Sequence, residues 1–335
     1  MDFTEYIDLA AERLGGCVLA ANDEFFAPKD NLLKASAPAW IADKYTPVGK
    51  WMDGWETRRR RTPGYDWCIV KLGLPGVIHG VEVDTRNFKG NFPEQCELEA
   101  CSMDGNPSVA QLEDHATNWN TLLPKSPLSG DTRNLFSTAP STRVTHLRFK
   151  IYPDGGVARL RVHGEVIPDW AALRRRGGEI DLAAVRHGGW VIVSSDMFFG
   201  SRNNLILPGR STGMHDGWET RRRRGPGHDW CILRLGAPGK IIRVEVDTSH
   251  FKGNFPESCS LEVCTAPRDI IDPGALGALA WKEILTKTKL QADFRHVYEK
   301  ELFDCGEITH VRFHIYPDGG VARLRIFATL SKRAS

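Results

Sequence analysis

Strand-like patterns dominate the chain. Residues 66–72, 77–84, 97–101, 145–151 and 157–162 are short runs rich in β-branched and aromatic side chains, bounded by Gly or Pro. In the last of these, Leu160 and Val162 alternate with Arg159, Arg161 and His163, the period of two expected of a half-buried strand. Weaker candidates lie at 18–20, 119–123 and near Phe136. One short helical pattern, residues 9–14, follows Asp8 as a possible N-cap and stops at Gly15-Gly16. Asp154-Gly155-Gly156 reads as a hairpin turn, with a site role for Asp154 as the alternative. About eight short strands at irregular spacing fit an antiparallel sandwich better than a βαβ fold.

The same pattern then returns. Ile7-Asp8-Leu9-Ala10-Ala11 recurs as Ile180-Asp181-Leu182-Ala183-Ala184, and Ile151-Tyr152-Pro153-Asp154-Gly155-Gly156 recurs unchanged from Ile315. Phe88-Lys89-Gly90-Asn91-Phe92-Pro93-Glu94 recurs as Phe251-Lys252-Gly253-Asn254-Phe255-Pro256-Glu257. A repeat of roughly 160 residues is a whole domain and not a solenoid unit. The expected organisation is all-β, two tandem duplicated sandwich domains at 1–170 and 171–335, with 167–179 as the linker. Between Asn31 and Asp53 lie ten more residues than between Asn204 and Asp216, so the first copy has a longer loop containing Trp40, Lys44 and Tyr45.

That loop precedes the most polar repeated stretch, Asp53-Gly54-Trp55-Glu56-Thr57 with Arg58, Arg59, Arg60 and Arg61, closing on Asp66-Trp67-Cys68. Its counterpart starts at Asp216, and only Thr62 against Gly225 and Tyr65 against His228 differ over sixteen positions. Packing alone tolerates apolar exchange, so identity in a polar stretch points to a further constraint. Four arginines in a row suggest a nucleic-acid patch. Here Asp53, Glu56 and Asp66 accompany them, which favours internal ion pairs, and the alternative is a strand with two structural and two functional arginines. Trp55, Trp67, Phe88 and Phe92 read as core or loop anchors, and His79 and His146 as structural strand residues.

Composition narrows the function classes. A net charge of +2 gives no global attraction to nucleic acid or anionic lipid. No run approaches the roughly 18 apolar residues of a membrane span. The N-terminus lacks a signal-peptide core and residues 331–335 match no targeting signal, so a cytoplasmic protein is expected. Eight cysteines, without a CxxC pair, are compatible with disulfides, a metal set or buried thiols; buried reduced thiols are the favoured reading. Cys96 and Cys101 fall on opposite faces of a strand. No nucleotide-binding glycine motif, nucleophile motif or metal-ligand spacing is present.

The sixteen-residue stretch, the Phe-Lys-Gly-Asn-Phe-Pro-Glu segment and Pro-Asp-Gly-Gly-Val-Ala-Arg-Leu-Arg together resemble the allantoicase family over essentially the whole chain. The resemblance implies two jelly-roll sandwiches of the galactose-binding-like type, a homo-oligomeric cytoplasmic enzyme, and hydrolysis of allantoate to ureidoglycolate and urea in purine (allantoin) degradation. No cofactor is implied, with a divalent metal left open. From the chemistry of the substrate, Arg58, Arg60 and Lys89 are expected to hold its carboxylate and Asn91 a ureido arm. Glu56 and Glu94 are the acid/base candidates, with Asp53 supporting an arginine. The equivalent set is Asp216, Glu219, Arg221, Arg223, Lys252, Asn254 and Glu257. The competing reading is a non-enzymatic tandem module binding a sugar or other ligand.

Overall fold

A computed structural model describes residues 2–114, 116–139 and 141–330; the C-terminal 331–335 lie outside the described residues. Its main feature is a strand longer than any expected. Asp66–Asp84 runs unbroken for 19 residues, merging the two runs 66–72 and 77–84. Its first half pairs with Val144–Tyr152 and Cys17–Ala21, its second with Arg159–Val166 and Arg133–Ser137, all antiparallel. The Pro75-Gly76 step that looks like a break falls inside a register shift. The pairing jumps from Lys71–His146 to Gly76–Val144, so no ladder hydrogen bond is asked of Pro75. One strand thus serves both halves of the sandwich.

Alternation fills the core from this strand. Cys68, Val70, Leu72 and Ile78 join Val81 and Val83 in one buried cluster with Leu147, Phe149, Leu160 and Val162. The inward positions change from even to odd because His79 is an extra residue between the Gly80–His163 and Ile78–Gly164 pairs. Cys96 belongs to this cluster, while Cys101 packs with Ile69 and Leu112 on the other face. All eight cysteines are free thiols, six of them buried. Burial pushes Cys96 up to about 12 and Cys101 up to about 11, so both are inert packing groups. His146 is buried against Thr145 and held down at about 4 by burial, then by Lys71, a neutral structural residue.

Three local expectations change. Residues 9–14 shrink to one 3-10 turn, Glu12–Leu14. The carboxylate of Asp8 accepts from the N–H of Ala10 and of Val162, tying that segment to the sheet before it can coil. Asp154-Gly155-Gly156 is no hairpin, because Gly156–Val157 pairs with Trp55–Glu56 instead of folding back on Val144–Tyr152. Residues 167–179 contain a seven-residue helix, Trp170–Arg176, capped by the Asp169 carboxylate on the Ala172 N–H.

The chain divides into two units between Ile167 and Pro168. The second repeats the first: Asp229–Asp247 is again a 19-residue strand, flanked by Trp190–Ser194 and Glu307–Tyr316, then by Arg323–Leu330 and Arg295–Tyr298. Each unit is an antiparallel β-sandwich. Among the described residues, no helix is long and apolar enough to cross a membrane.

Candidate active site

The repeated polar stretch is built as a scaffold before it is a site. Trp55 is fully buried, and its indole N–H donates to the Asp23 carbonyl at 2.8 Å. Gly54 lies against the backbone of Val157 and Ala158 and the Phe88 ring so closely that any side chain would clash. The Thr57 N–H donates to the Gly155 carbonyl and the Gly156 N–H to the Asn91 carbonyl, lacing three loops together at one end of the sandwich. Residues 58–61 leave the short Trp55–Glu56 strand as extended loop, not as a strand of their own.

The arginines do alternate, but those chosen from sequence are the structural pair. Arg58 Nε donates to Asp23 at 2.6 Å, and Arg60 Nη1 donates to buried Asp66 at 2.8 Å. The Arg60 backbone N–H is also held, by Asp154 at 2.8 Å. Arg58, Arg59 and Arg61 are exposed and Arg60 is half-buried, so the alternation lies in the ion pairs and not in burial. Asp53 supports an arginine, though a distant one: its carboxylate accepts from Arg159, 1% exposed, at 2.7 Å and from the Ala39 N–H at 2.9 Å. Burial, the largest influence, would raise its pKa, but Arg159, the Ala39 N–H and Lys34 together hold it below the usual carboxylate range. Arg159 also donates to the Ser36 carbonyl, so this buried pair anchors the start of the long loop.

That loop makes a cleft. Residues 39–52 fold over the end of the sandwich, and Phe26, Trp40, Gly49, Lys50, Met52, Glu56, Asn87, Lys89, Gly90, Asn91 and Asp131 enclose about 610 Å³. Of the expected residues, Glu56, Lys89 and Asn91 meet here. Arg58, Arg60, Asp53 and Glu94 do not line it, and Glu94 is exposed. Asn91 Nδ2 donates to Glu56 Oε1 at 2.7 Å, fixing a carboxyl that lines the cleft. Burial raises the Glu56 pKa, and the Asn91 bond only partly opposes it. Lys89 is loosely held by Asp131 at 3.8 Å. Lys50 lies 4.7 Å from the Trp40 ring centroid and 5.1 Å from that of Tyr45. Lys50, Trp40 and Met52 were missed as site residues; their signal was the ten-residue length difference.

The second unit repeats the scaffold. Trp218 donates to the Asp196 carbonyl, Arg221 pairs with Asp196 and Arg223 with Asp229, and Asp216 accepts from Arg323 at 2.8 Å. Asn254 donates to Glu219 at 2.5 Å. Glu219, Arg222, Arg223, Asn254, Glu257 and Lys289 line an open cleft of about 770 Å³, while Arg221, Asp216 and Lys252 lie off it. Lys252 sits 3.9 Å from Asp293 on the surface. With no long loop above them, Phe198 and Phe199 are 64% and 63% exposed. Among the described residues, no cluster of three or more His, Cys, Asp or Glu could hold a metal ion.

The duplication matches a known family twice. The family model of the allantoicase repeat matches residues 7–167 and again 180–331. An allantoicase of Dictyostelium discoideum is 47% identical over 331 residues, covering 98% of this chain and 88% of that protein. A probable allantoicase of Burkholderia mallei is 47% identical over 333 residues, 99% of this chain and 97% of that protein. The crystal structure of allantoicase from Saccharomyces cerevisiae superposes with a TM-score of 0.81 at 38% identity, covering 96% of this chain and 92% of that one. The chain belongs to the allantoicase family.

Proposed function

We propose that this protein hydrolyses allantoate to ureidoglycolate and urea, and that the roofed cleft of the first unit does the chemistry. The observation that carries the second half is Glu56: a carboxyl whose pKa burial raises, with one amide partner, beside two lysines. Allantoate has a carboxylate and two ureido arms on one carbon. Lys50 and Lys89 hold the carboxylate, and the side-chain oxygen Oδ1 of Asn91, not used by the Nδ2 bond to Glu56, accepts from a ureido N–H. Protonated Glu56 gives its proton to the departing nitrogen as the C–N bond breaks, and the lone pair of the remaining ureido nitrogen forms a C=N bond at the carbon. Glu56, now a carboxylate, takes a proton from water as its oxygen adds to that carbon. Ureidoglycolate forms and Glu56 ends protonated as it began. A raised pKa suits a group that must be acid first and base second.

This reading replaces Arg58 and Arg60 as carboxylate ligands and gives Glu94 and Asp53 no chemical step. The working form is taken to be a cytoplasmic homo-oligomer whose partner is the small substrate, with neither nucleic acid nor membrane involved. Urea release from allantoate by purified protein, with and without added divalent ion, tests the activity. Absence of urea in both conditions would leave the ligand-binding-module reading in its place.

A further inference from the structure

The second unit has a cluster that the proposed chemistry does not use. On the sheet face formed by Asp229–Asp247, Ser258–Cys264 and Glu307–Tyr316, His228 Nε2 lies 2.8 Å from His314 Nδ1. His314 Nε2 lies 2.8 Å from Glu262 Oε2, which also accepts from Arg312 Nε at 2.6 Å. His314 is 9% exposed and Ser260 4%, the latter 3.0 Å from the Tyr316 hydroxyl. These residues, with Trp230, Ile232, Pro273, Gly277 and Glu283, enclose a second cleft of about 520 Å³.

The chain of contacts fixes the protons. A carboxylate only accepts, so His314 donates from Nε2 and, when neutral, accepts at Nδ1. His228 must then donate from Nε2, which leaves Nδ1 with a lone pair and, among the described residues, no hydrogen-bond partner. Burial lowers the pKa of both rings, keeping them neutral, although Glu262 pulls His314 the other way. The one cation on the cleft wall, Arg312, is paired with Glu262.

In the first unit the same positions carry mainly charged groups paired with one another. There Tyr65, Glu97, Glu99 and Lys150 stand for His228, Ser260, Glu262 and His314. Lys150 binds Glu99 at 2.8 Å and Glu97 at 3.3 Å, and Tyr152 donates to Glu97. There the charges are paired with one another, and no imidazole lone pair is presented.

The geometry points to the Glu262–His314–His228 cleft as a second ligand site, one that takes a small uncharged molecule donating a hydroxyl or amide hydrogen to His228 Nδ1. Ser260 and Tyr316 supply further hydroxyls, and Trp230, Ile232 and Pro273 an apolar wall. It stands independently of the allantoate reading. Binding weakens as acid protonates the ring pair. The charged groups facing that pair are Arg223, Asp229, Glu262, Lys287, Arg312 and, across the cleft, Glu283.

The test uses the full chain and glycolamide, an uncharged probe with one hydroxyl and one amide. Long-range proton–nitrogen correlation is expected to show His228 and His314 both protonated at Nε2, with saturable glycolamide shifts at His228 that vanish on acidification. The triple variant H228Y/S260E/H314K installs the first unit's arrangement and keeps allantoate hydrolysis. Its saturation-transfer signal from glycolamide should fall at least about tenfold, as expected for lost hydrogen-bond partners. A His228 protonated at Nδ1, an absent shift, or an equal signal from the variant would overturn the proposal.

Discussion

The two copies of the sixteen-residue stretch share a scaffold and differ in what lies above it. Both hold a buried tryptophan on an aspartate carbonyl, both tie their first and third arginines to aspartates, and both join a glutamate to an asparagine. The near-identity of the copies is thus largely explained by internal ion pairs that hold three loops in register. Only in the first copy does the long loop close over the glutamate, adding Trp40, Lys50 and Met52 and covering Phe26. The frame is common to both copies, and the longer loop of the first adds a wall to its cleft.

The largest difference between the copies is expected on removing the same carboxyl from each. Glu56→Gln is expected to lower kcat for urea release by about 10²–10⁴, the usual worth of a general acid–base group. Glu219→Gln should stay within about threefold, since nothing in the account asks it for proton transfer. Next comes the frame. Asp53→Ala leaves Arg159 buried without its carboxylate, and chemical denaturation should show a loss of about 3–5 kcal/mol. Asp216, 15% exposed at its side chain, should cost less when changed in the same way.

A smaller effect separates binding from chemistry. Lys50→Met should raise KM for allantoate about tenfold or more with kcat less changed, by loss of a charge-assisted contact. The smallest concerns stability and pH. The folded pKa of Glu56 is raised, so the folded state binds its proton more tightly and stability falls as pH rises through that pKa. Glu56→Gln should therefore melt slightly higher than the parent at neutral pH, with the difference vanishing in acid. The reaction shares this sign, since the protonated acid is lost as pH rises.

The fold was legible because its signals are local. Alternation at 157–162 and the β-rich runs located the strands, and the repeat located the duplication. The merging of 66–72 with 77–84 was not legible, because whether Pro75 breaks a strand depends on a register shift in a partner some seventy residues away. The site was read in part for the same reason. Glu56 and Asn91 were singled out from repeated polar loops. That Arg58 and Arg60 are committed to Asp23 and Asp66 is a tertiary fact, as is the presence of Lys50 in the cleft that Glu56 lines. Tyr65 against His228, one of only two differences in the stretch, marked the place where the second unit has its histidine pair.

Where substrate binds decides between the copies most directly. A crystal structure of the Glu56→Gln protein soaked with allantoate should show the ligand in the first unit's cleft, its carboxylate between Lys50 and Lys89 and a ureido arm at Asn91. Allantoate seated instead against Glu219, Arg223 and Asn254, with the first cleft empty, would contradict the account.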